Sequence, residues 1–423
     1  MQSEYTTTSS GQVRQRSDLT FKHNANQARH GWLRLTPAYS VKLVDEILAH
    51  VDAPLKVLDP FSGTATTPLS AAYAGHRGLS IDINPFLVWF GRAKLRHYKT
   101  KTMNEVRIAA DTIQSAIDKG SASPCVPPPI ANIERWWDEK NLEYLCCVKG
   151  EIDRQSEAGS EARDLLLVAF CRTVIELSNA AFNHQSMSFK DNGNVNVRGQ
   201  AQPELWPERF FDRPPFTSYV DTILESAAHN PVGDADVCKC DARDIHDLPD
   251  SGFDLLITSP PYPNRMSYIR ELRPYMYWLG YLKEAREAGE MDWEAIGGTW
   301  GIATSRLNDW RLESETYFPE YLVTILRRIS ESDGKSGELL ANYVGKYFED
   351  MWKHFLSVKK VMRSGGRLHY IVGNSKFYEC IVPTEKIYQD MLTEAGFNSP
   401  RVKVIRKRNS KKELYEFIVT AQA

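Results

Sequence analysis

Long apolar runs are missing from this chain. No stretch approaches the roughly 18 residues that would cross a membrane. The opening Met1-Gln-Ser-Glu-Tyr-Thr-Thr-Thr-Ser-Ser10 lacks the basic and apolar blocks of a secretory signal. A cytoplasmic protein with no membrane partner is the expectation. Cysteine is sparse, seven residues scattered over 423, and none shows the paired spacing of a zinc site. Cys146-Cys147 falls on a predicted helix and Cys238-Lys-Cys240 on a predicted strand, so buried free thiols and no metal are expected. An excess of positive charge is absent too, since the net charge is −2. Binding of nucleic acid would need a local basic face. What is present is ordinary for a large soluble core: 42% hydrophobic and 25% charged residues, at a length that allows two or three domains or one with large insertions.

The stretch that organises the rest is Phe253-Asp-Leu-Leu-Ile-Thr-Ser-Pro-Pro-Tyr262. Leu255 to Ile257 reads as a buried strand stopped by a proline pair. Ser259, Pro260, Pro261 and Tyr262 then lie on the loop at its C-terminal end, the edge where open α/β sheets bind ligands. They offer a hydroxyl, a carbonyl on a stiff backbone and an aromatic face, a set that can grip a flat group bearing an amine. A Pro-Pro turn closing a core strand would read the same.

Leu55-Lys-Val-Leu-Asp-Pro-Phe-Ser-Gly-Thr-Ala-Thr-Thr67 reads as a strand with an acidic tip and a small-residue turn, with Thr67 capping and Pro68 opening a helix. The next strand ends on Asp82. Acids at consecutive strand tips, with Gly63 between them, suit a ligand carrying a positive end and a ribose. Asp59 would repel a phosphate, and the turn lacks the Gly-Lys-Ser/Thr ending of a phosphate loop. S-adenosylmethionine has the required description; an ordinary Asp-Pro turn is the alternative. Upstream, Thr36 is the predicted cap and Pro37 the first residue of a helix carrying Val44, Ile47, Leu48 and Val51. The βαβ rhythm stops near residue 100 and returns at Ala235-Asp-Val-Cys-Lys-Cys-Asp241. From 264 to about 320 the chain is rich in Arg, Tyr and Trp, which suits base stacking and phosphate contact, or a packed helical lid. The closing strands flank the basic turn Arg406-Lys-Arg-Asn-Ser-Lys-Lys412, the densest positive patch, or simply a solvated tip.

Asp59-Pro-Phe-Ser-Gly-Thr-Ala-Thr-Thr67 resembles the cofactor motif of S-adenosylmethionine-dependent DNA amino-methyltransferases, and Thr258-Ser-Pro-Pro-Tyr262 resembles their catalytic motif. Arg34-Leu-Thr-Pro37 looks like the motif flanking the methionine end of the cofactor. The resemblance covers about 30–100 and 234–262 well, 360–420 loosely and 101–233 not at all. It implies an α/β, Rossmann-like methyltransferase sheet, mostly parallel with a C-terminal antiparallel hairpin, plus a mostly helical insertion. It implies a disordered N-terminal arm at 1–20, core segments at 21–100, 234–262 and 346–423, the insertion at 101–233 and a DNA-recognition candidate at 263–345. Its cofactor site would use Thr36, Pro37, Asp59, Phe61, Gly63, Thr64, Asp82 on the ribose and Asp241 near the adenine amine. Ala65 stands where the family usually has a second glycine, and the cofactor half comes first, unlike in many relatives with this catalytic motif.

The resemblance further implies base flipping in double-stranded DNA, with Ser259 and the Pro260 carbonyl accepting from an exocyclic amine and Tyr262 stacking on the base. Serine in the first motif position points within the family to cytosine N4, with adenine N6 as the alternative. Methylation of RNA guanine or of a protein glutamine amide, or a non-catalytic DNA-binding module, are rivals from other classes. A covalent route through Cys125 is rejected, since it sits in a proline-rich loop that follows no strand. A cognate restriction or defence component would be a further partner.

Overall fold

The computed structural model describes residues 13–33, 35, 38–51, 54–181, 188–189, 214–245, 248–264, 267–299, 301–332, 336–408 and 413–423. Seven strands form the central sheet. They are β1 (Lys56–Asp59), β2 (Arg77–Asp82), β3 (Ala235–Lys239), β4 (Phe253–Thr258), β5 (Met362–Gly373), β6 (Asn398–Lys407) and β7 (Tyr415–Gln422). Their spatial order is β3-β2-β1-β4-β5-β7-β6. The first five pair in parallel, and β7 runs antiparallel to both of its neighbours. This is a Rossmann-like α/β sheet, mostly parallel with an antiparallel hairpin at its edge. Because the order reverses at β1 and β4, a crevice opens beyond the C-terminal ends of those two strands.

Strand pleating sends alternate side chains to opposite faces. Leu255 and Ile257 of β4 pack with α1 (Val41–Leu48) and Ala71 of α2 (Thr66–Tyr73). Leu256 packs on the other side with α12 (Gly337–Val361) and α13 (Thr384–Glu394). Between them in sequence, α3 (Pro85–Leu95) leads into α4 (Thr100–Asp118), α5 (Glu139–Gln155), α6 (Glu161–Glu176) and α7 (Pro215–Ala227). These share one apolar cluster with α8 (Tyr268–Trp278). Three further helices, α9 (Ala285–Glu294), α10 (Ile302–Asp309) and α11 (Glu320–Ser330), follow α8. Among the described residues no helix is long and apolar enough to cross a membrane.

Two local readings of the sequence are corrected. Helix α1 begins at Val41, four residues after Pro37, because Asn24 caps it from another segment: its Oδ1 accepts from Val41 N at 2.9 Å while its Nδ2 donates to the Tyr39 carbonyl at 2.8 Å. Helix α2 begins at Thr66, ahead of the expected Thr67 cap. The Thr67 hydroxyl donates instead to the Ile257 carbonyl at 3.0 Å, on the neighbouring strand. Part of the expected disordered arm is also structured. Ser17–Leu19 forms a 3-10 turn, and Leu19 is buried in the apolar cluster of α1. Residues 1–12 of that arm lie outside the described residues.

Candidate active site

A cleft of about 440 Å³ opens at the C-terminal edge of the sheet. Its walls include Phe61 and Gly63 from the turn after β1, Asp82 from the tip of β2, Asp241 after β3, and Ser259 to Tyr262 after β4. Strands β1 and β2 pair in parallel with Asp59 opposite Ser80, and β1 and β4 with Leu58 opposite Leu256. The register therefore delivers all four loops to one edge.

The turn after β1 is shaped by positive φ angles. Gly63 has φ +49° and Ala65 φ +57°. Glycine takes this conformation without strain, whereas an alanine in it costs roughly 1–2 kcal/mol. The fully buried Ala65 methyl lies in a small apolar cluster with Leu69 and Val237, whose burial offsets part of that cost. A Cβ at Gly63 would meet only the Phe61 carbonyl, at 3.8 Å, so the missing side chain leaves space on the cleft side. Gly63 N donates to Asp82 Oδ2 at 3.0 Å, and Asn84 N to Asp82 Oδ1 at 2.9 Å. Asn84 in turn caps α3. Burial pushes the Asp82 carboxyl up to about 7, against these hydrogen bonds. The carboxylate is thus fixed in orientation on the cleft wall, where its remaining lone pairs can accept further hydrogen bonds.

Asp241 carries a forked contact from its neighbour: Arg243 donates through Nε at 3.0 Å and NH2 at 2.6 Å. The same guanidinium reaches Asp350 of α12 at 3.0 Å and the Glu294 carbonyl of α9 at 2.8 Å. This pins the loop bearing Asp241 between two helices.

Asp59 and Thr64 stand behind the wall and do not line the cleft. Asp59 is fully buried. It accepts from Thr258 Oγ1 at 2.6 Å, Phe61 N at 3.0 Å and the Tyr39 hydroxyl at 3.3 Å. Its carboxylate therefore ties the tip of β1 to the residue that opens the Ser-Pro-Pro-Tyr loop. Burial raises its pKa to about 6. The Thr64 carbonyl accepts from the buried Lys94 ammonium at 2.5 Å. Arg34, Thr36 and Pro37 lie outside the described residues.

In the loop after β4, the Ser259 hydroxyl donates to the Ile371 carbonyl at 3.0 Å. Its one proton is thereby used, and its oxygen lone pairs remain to accept. Pro261 is held through its carbonyl by the Tyr347 hydroxyl at 2.7 Å, which also meets Tyr388 Oη at 2.7 Å. The Tyr262 hydroxyl donates to Glu416 Oε1 at 2.9 Å.

The sequence reading misses Tyr39 and Glu416, and it gives Tyr268, Arg406 and Arg408 to DNA contact where the structure lines the cleft with them. For Glu416 a signal existed: it is the one carboxylate inside the apolar strand Tyr415–Gln422. Arg406 and Arg408 correct the reading of the basic turn as a free phosphate-binding tip. Arg406 pairs with Glu416 at 2.8 Å, and the Arg408 guanidinium lies 5.0 Å from the centre of the Tyr262 ring, both turned into the cleft. Lys411 and Lys412 lie outside the described residues. The Arg/aromatic stretch is corrected in part as well. Tyr275, Tyr277 and Trp278 are buried in the cluster shared with α4 to α7, which leaves those rings to packing and not to bases.

No family model matches the chain. It is similar to the Type II methyltransferase M.BsoBI of Geobacillus stearothermophilus, at 21% identity over 94% of this chain and 85% of that relative. It is also similar to the Type II methyltransferase M.AvaI of Nostoc sp., at 20% over 94% and 86%. The Type II methyltransferase M.MvaI of Kocuria varians is 20% identical over 79% and 74%. Among solved structures, the rRNA methyltransferase aviRa from Streptomyces viridochromogenes overlays 91% of this chain and 86% of its own, at 10% identity and a TM-score of 0.27. That overlay is too loose to add to the strand order.

Proposed function

We propose that this chain is a site-specific DNA methyltransferase that moves a methyl group from S-adenosylmethionine to the exocyclic N4 amine of cytosine in duplex DNA. Its setting would be DNA modification, beside a restriction or defence component. One observation carries the reading: a single cleft is walled by Phe61, Gly63, Asp82 and Asp241 at one end and by Ser259 to Tyr262 at the other. The Type II methyltransferase relatives support it, since they align over most of their length.

The donor set fits the cofactor. Asp82 supplies an oriented carboxylate for ribose hydroxyls, and Phe61, Ile83, Leu87 and Ala242 give apolar walls for a purine. When bound, S-adenosylmethionine supplies an electrophilic methyl group on a sulfonium sulfur. The chain's own residues act on the acceptor. The Ser259 oxygen and the Pro260 carbonyl accept from the two N–H groups of the amine, which turns its lone pair out of conjugation with the ring. Tyr262 stacks on the flipped base and fixes its plane. The amine lone pair forms the new N–C bond as the C–S bond breaks, and the extra amine proton leaves to solvent. Mass spectrometry of nucleosides from unmethylated DNA and from RNA, each incubated with protein and labelled cofactor, tests the assignment. Labelled N4-methyl-2′-deoxycytidine in the DNA digest, with no label in the RNA digest, is the expected result. Label in N6-methyladenine would replace the target base, and label in RNA alone would overturn the reading.

Asp82 gives a quantitative check. With 1.5–3 kcal/mol at stake in charge-assisted hydrogen bonds, Asp82→Ala is expected to weaken cofactor affinity about tenfold or more. The carboxylate accepts best when ionised, and its pKa without ligand stands near 7. Affinity is therefore full above that pH and falls as pH drops below it, by up to about tenfold per unit. Calorimetric titrations from pH 5 to 8 should show this slope in the wild type and a flat profile in Asp82→Asn. Equal slopes in both would remove Asp82 from the ribose site.

A further inference from the structure

The charges at the base of the β6–β7 hairpin are unusual in facing the reaction end of the cleft. Across β6 and β7, Arg406 pairs with Glu416, and across β7 and β5, Glu416 pairs with Gly373. This row lies at the C-terminal tip of β5, beside the loop that carries Ser259 and Tyr262. Glu416 is buried. Its Oε2 takes Arg406 Nε at 2.8 Å, and its Oε1 takes both Arg406 NH2 at 3.1 Å and the Tyr262 hydroxyl at 2.9 Å. Arg408 stacks over the Tyr262 ring and is itself anchored, NH1 donating to the Asn374 carbonyl at 2.8 Å. Asn374 is buried and locks that frame: its Oδ1 accepts from Tyr415 N at 2.8 Å and its Nδ2 donates to the Glu413 carbonyl at 3.1 Å.

Gly373 gives independent support. A Cβ there would come within 2.4 Å of Arg408 NH1 and 2.9 Å of the Tyr262 ring. The strand therefore gives up a side chain at the point where the arginine and the tyrosine meet.

Resting on the methyl-transfer reading above, we propose that Arg408, with Glu416 and Arg406, positions Tyr262 as a preformed one-faced platform for the target base. A free tyrosine presents two faces and turns about its side-chain bonds, so a base arriving on it must first order it. Here the guanidinium covers one face within cation–π range and Glu416 holds the hydroxyl. The base is left one face and one ring orientation. Arg408 thus acts through Tyr262 and needs no contact with the base.

The test compares single-turnover methylation of unmethylated phage λ DNA by wild type, Arg408→Ala, Arg408→Lys, Gly373→Ala, Tyr262→Ala and the Tyr262→Ala/Arg408→Ala pair. Cofactor affinity and melting temperature are measured alongside. Arg408→Ala is expected to slow transfer about 30-fold, with cofactor affinity within about twofold of wild type, and Arg408→Lys to recover part of the rate. Gly373→Ala, which removes no functional group, should slow transfer about tenfold by wedging the pair apart. In the Tyr262→Ala background, loss of Arg408 should cost less than about twofold, because both act through one ring. Full additivity, or an Arg408→Ala enzyme as fast as wild type, overturns the platform while leaving the methyl-transfer reading intact. A wild-type protein that labels no DNA overturns both.

Discussion

Ser259→Ala and Tyr262→Ala are each expected to lose methyl transfer by about 10²–10³-fold while binding cofactor as the wild type does. The split follows from where the two side chains sit. Both lie on the loop after β4, two strands along the sheet edge from Asp82, and their contacts run to the Ile371 carbonyl, Glu416, Tyr268 and Arg408. On the proposed reading, Ser259→Ala removes one of two acceptors for the amine; it also removes the hydroxyl donor to the Ile371 carbonyl, with little change in volume. Tyr262→Ala removes the stacking face. Single-turnover rates give the loss, and calorimetric titration with the cofactor gives the binding. A tenfold drop in cofactor affinity at either position would place that side chain in the cofactor site instead.

The second large effect concerns stability. Arg29 is fully buried, and its guanidinium gathers carbonyls from two helix ends. NH1 donates to the Lys94 carbonyl at 2.9 Å and the Arg96 carbonyl at 2.5 Å, at the end of α3. NH2 donates to the Ala227 carbonyl at 2.6 Å, at the end of α7, and to Asn230 Oδ1 at 2.7 Å. A cation at the negative ends of two helices satisfies carbonyls that have no partner within their own helix. Arg29→Ala leaves those acceptors buried and opens a cavity, so a loss of about 3–5 kcal/mol is expected. Urea denaturation, read at the midpoint, measures it. A loss under about 1 kcal/mol would mean that water enters and replaces the guanidinium.

What was legible in the sequence was local and periodic. The strands at Lys56–Asp59, Arg77–Asp82 and Phe253–Thr258 show as short apolar runs with acidic or proline-rich ends, and their loops bear the motif residues. Phe61, Gly63, Asp82 and Ser259 to Tyr262 stand on those loops, Asp241 follows the strand Ala235–Lys239, and the structure gathers them in one cleft. The division of labour within the motif was not legible. Asp59 and Thr64 share it with Phe61 and Gly63, yet Asp59 is held behind the wall by Thr258, 199 residues away, and the Thr64 carbonyl by Lys94. The Arg/aromatic stretch misled because composition cannot separate a stacking surface from a packed one. Tyr275 and Trp278 are core residues because α8 lies against α6 and Phe86 of α3. The pairing of Arg406 with Glu416 crosses a strand register, which no local pattern encodes.

The position of β7 ties the two sides of the cleft to different parts of the sheet. It lies between β5 and β6, although β6 precedes it in the chain, and at the sheet's edge β6 pairs with β7 alone. Strand β6 is therefore joined to the rest of the sheet only through β7. The five parallel strands, with the turn after β1 and the tip of β2, need neither. Asp82 and the turn after β1 thus rest on the parallel strands, while Tyr262 takes Glu416 and Arg408 from the hairpin. A change confined to the hairpin therefore bears on the Tyr262 side of the cleft and leaves the Asp82 side on its own strands.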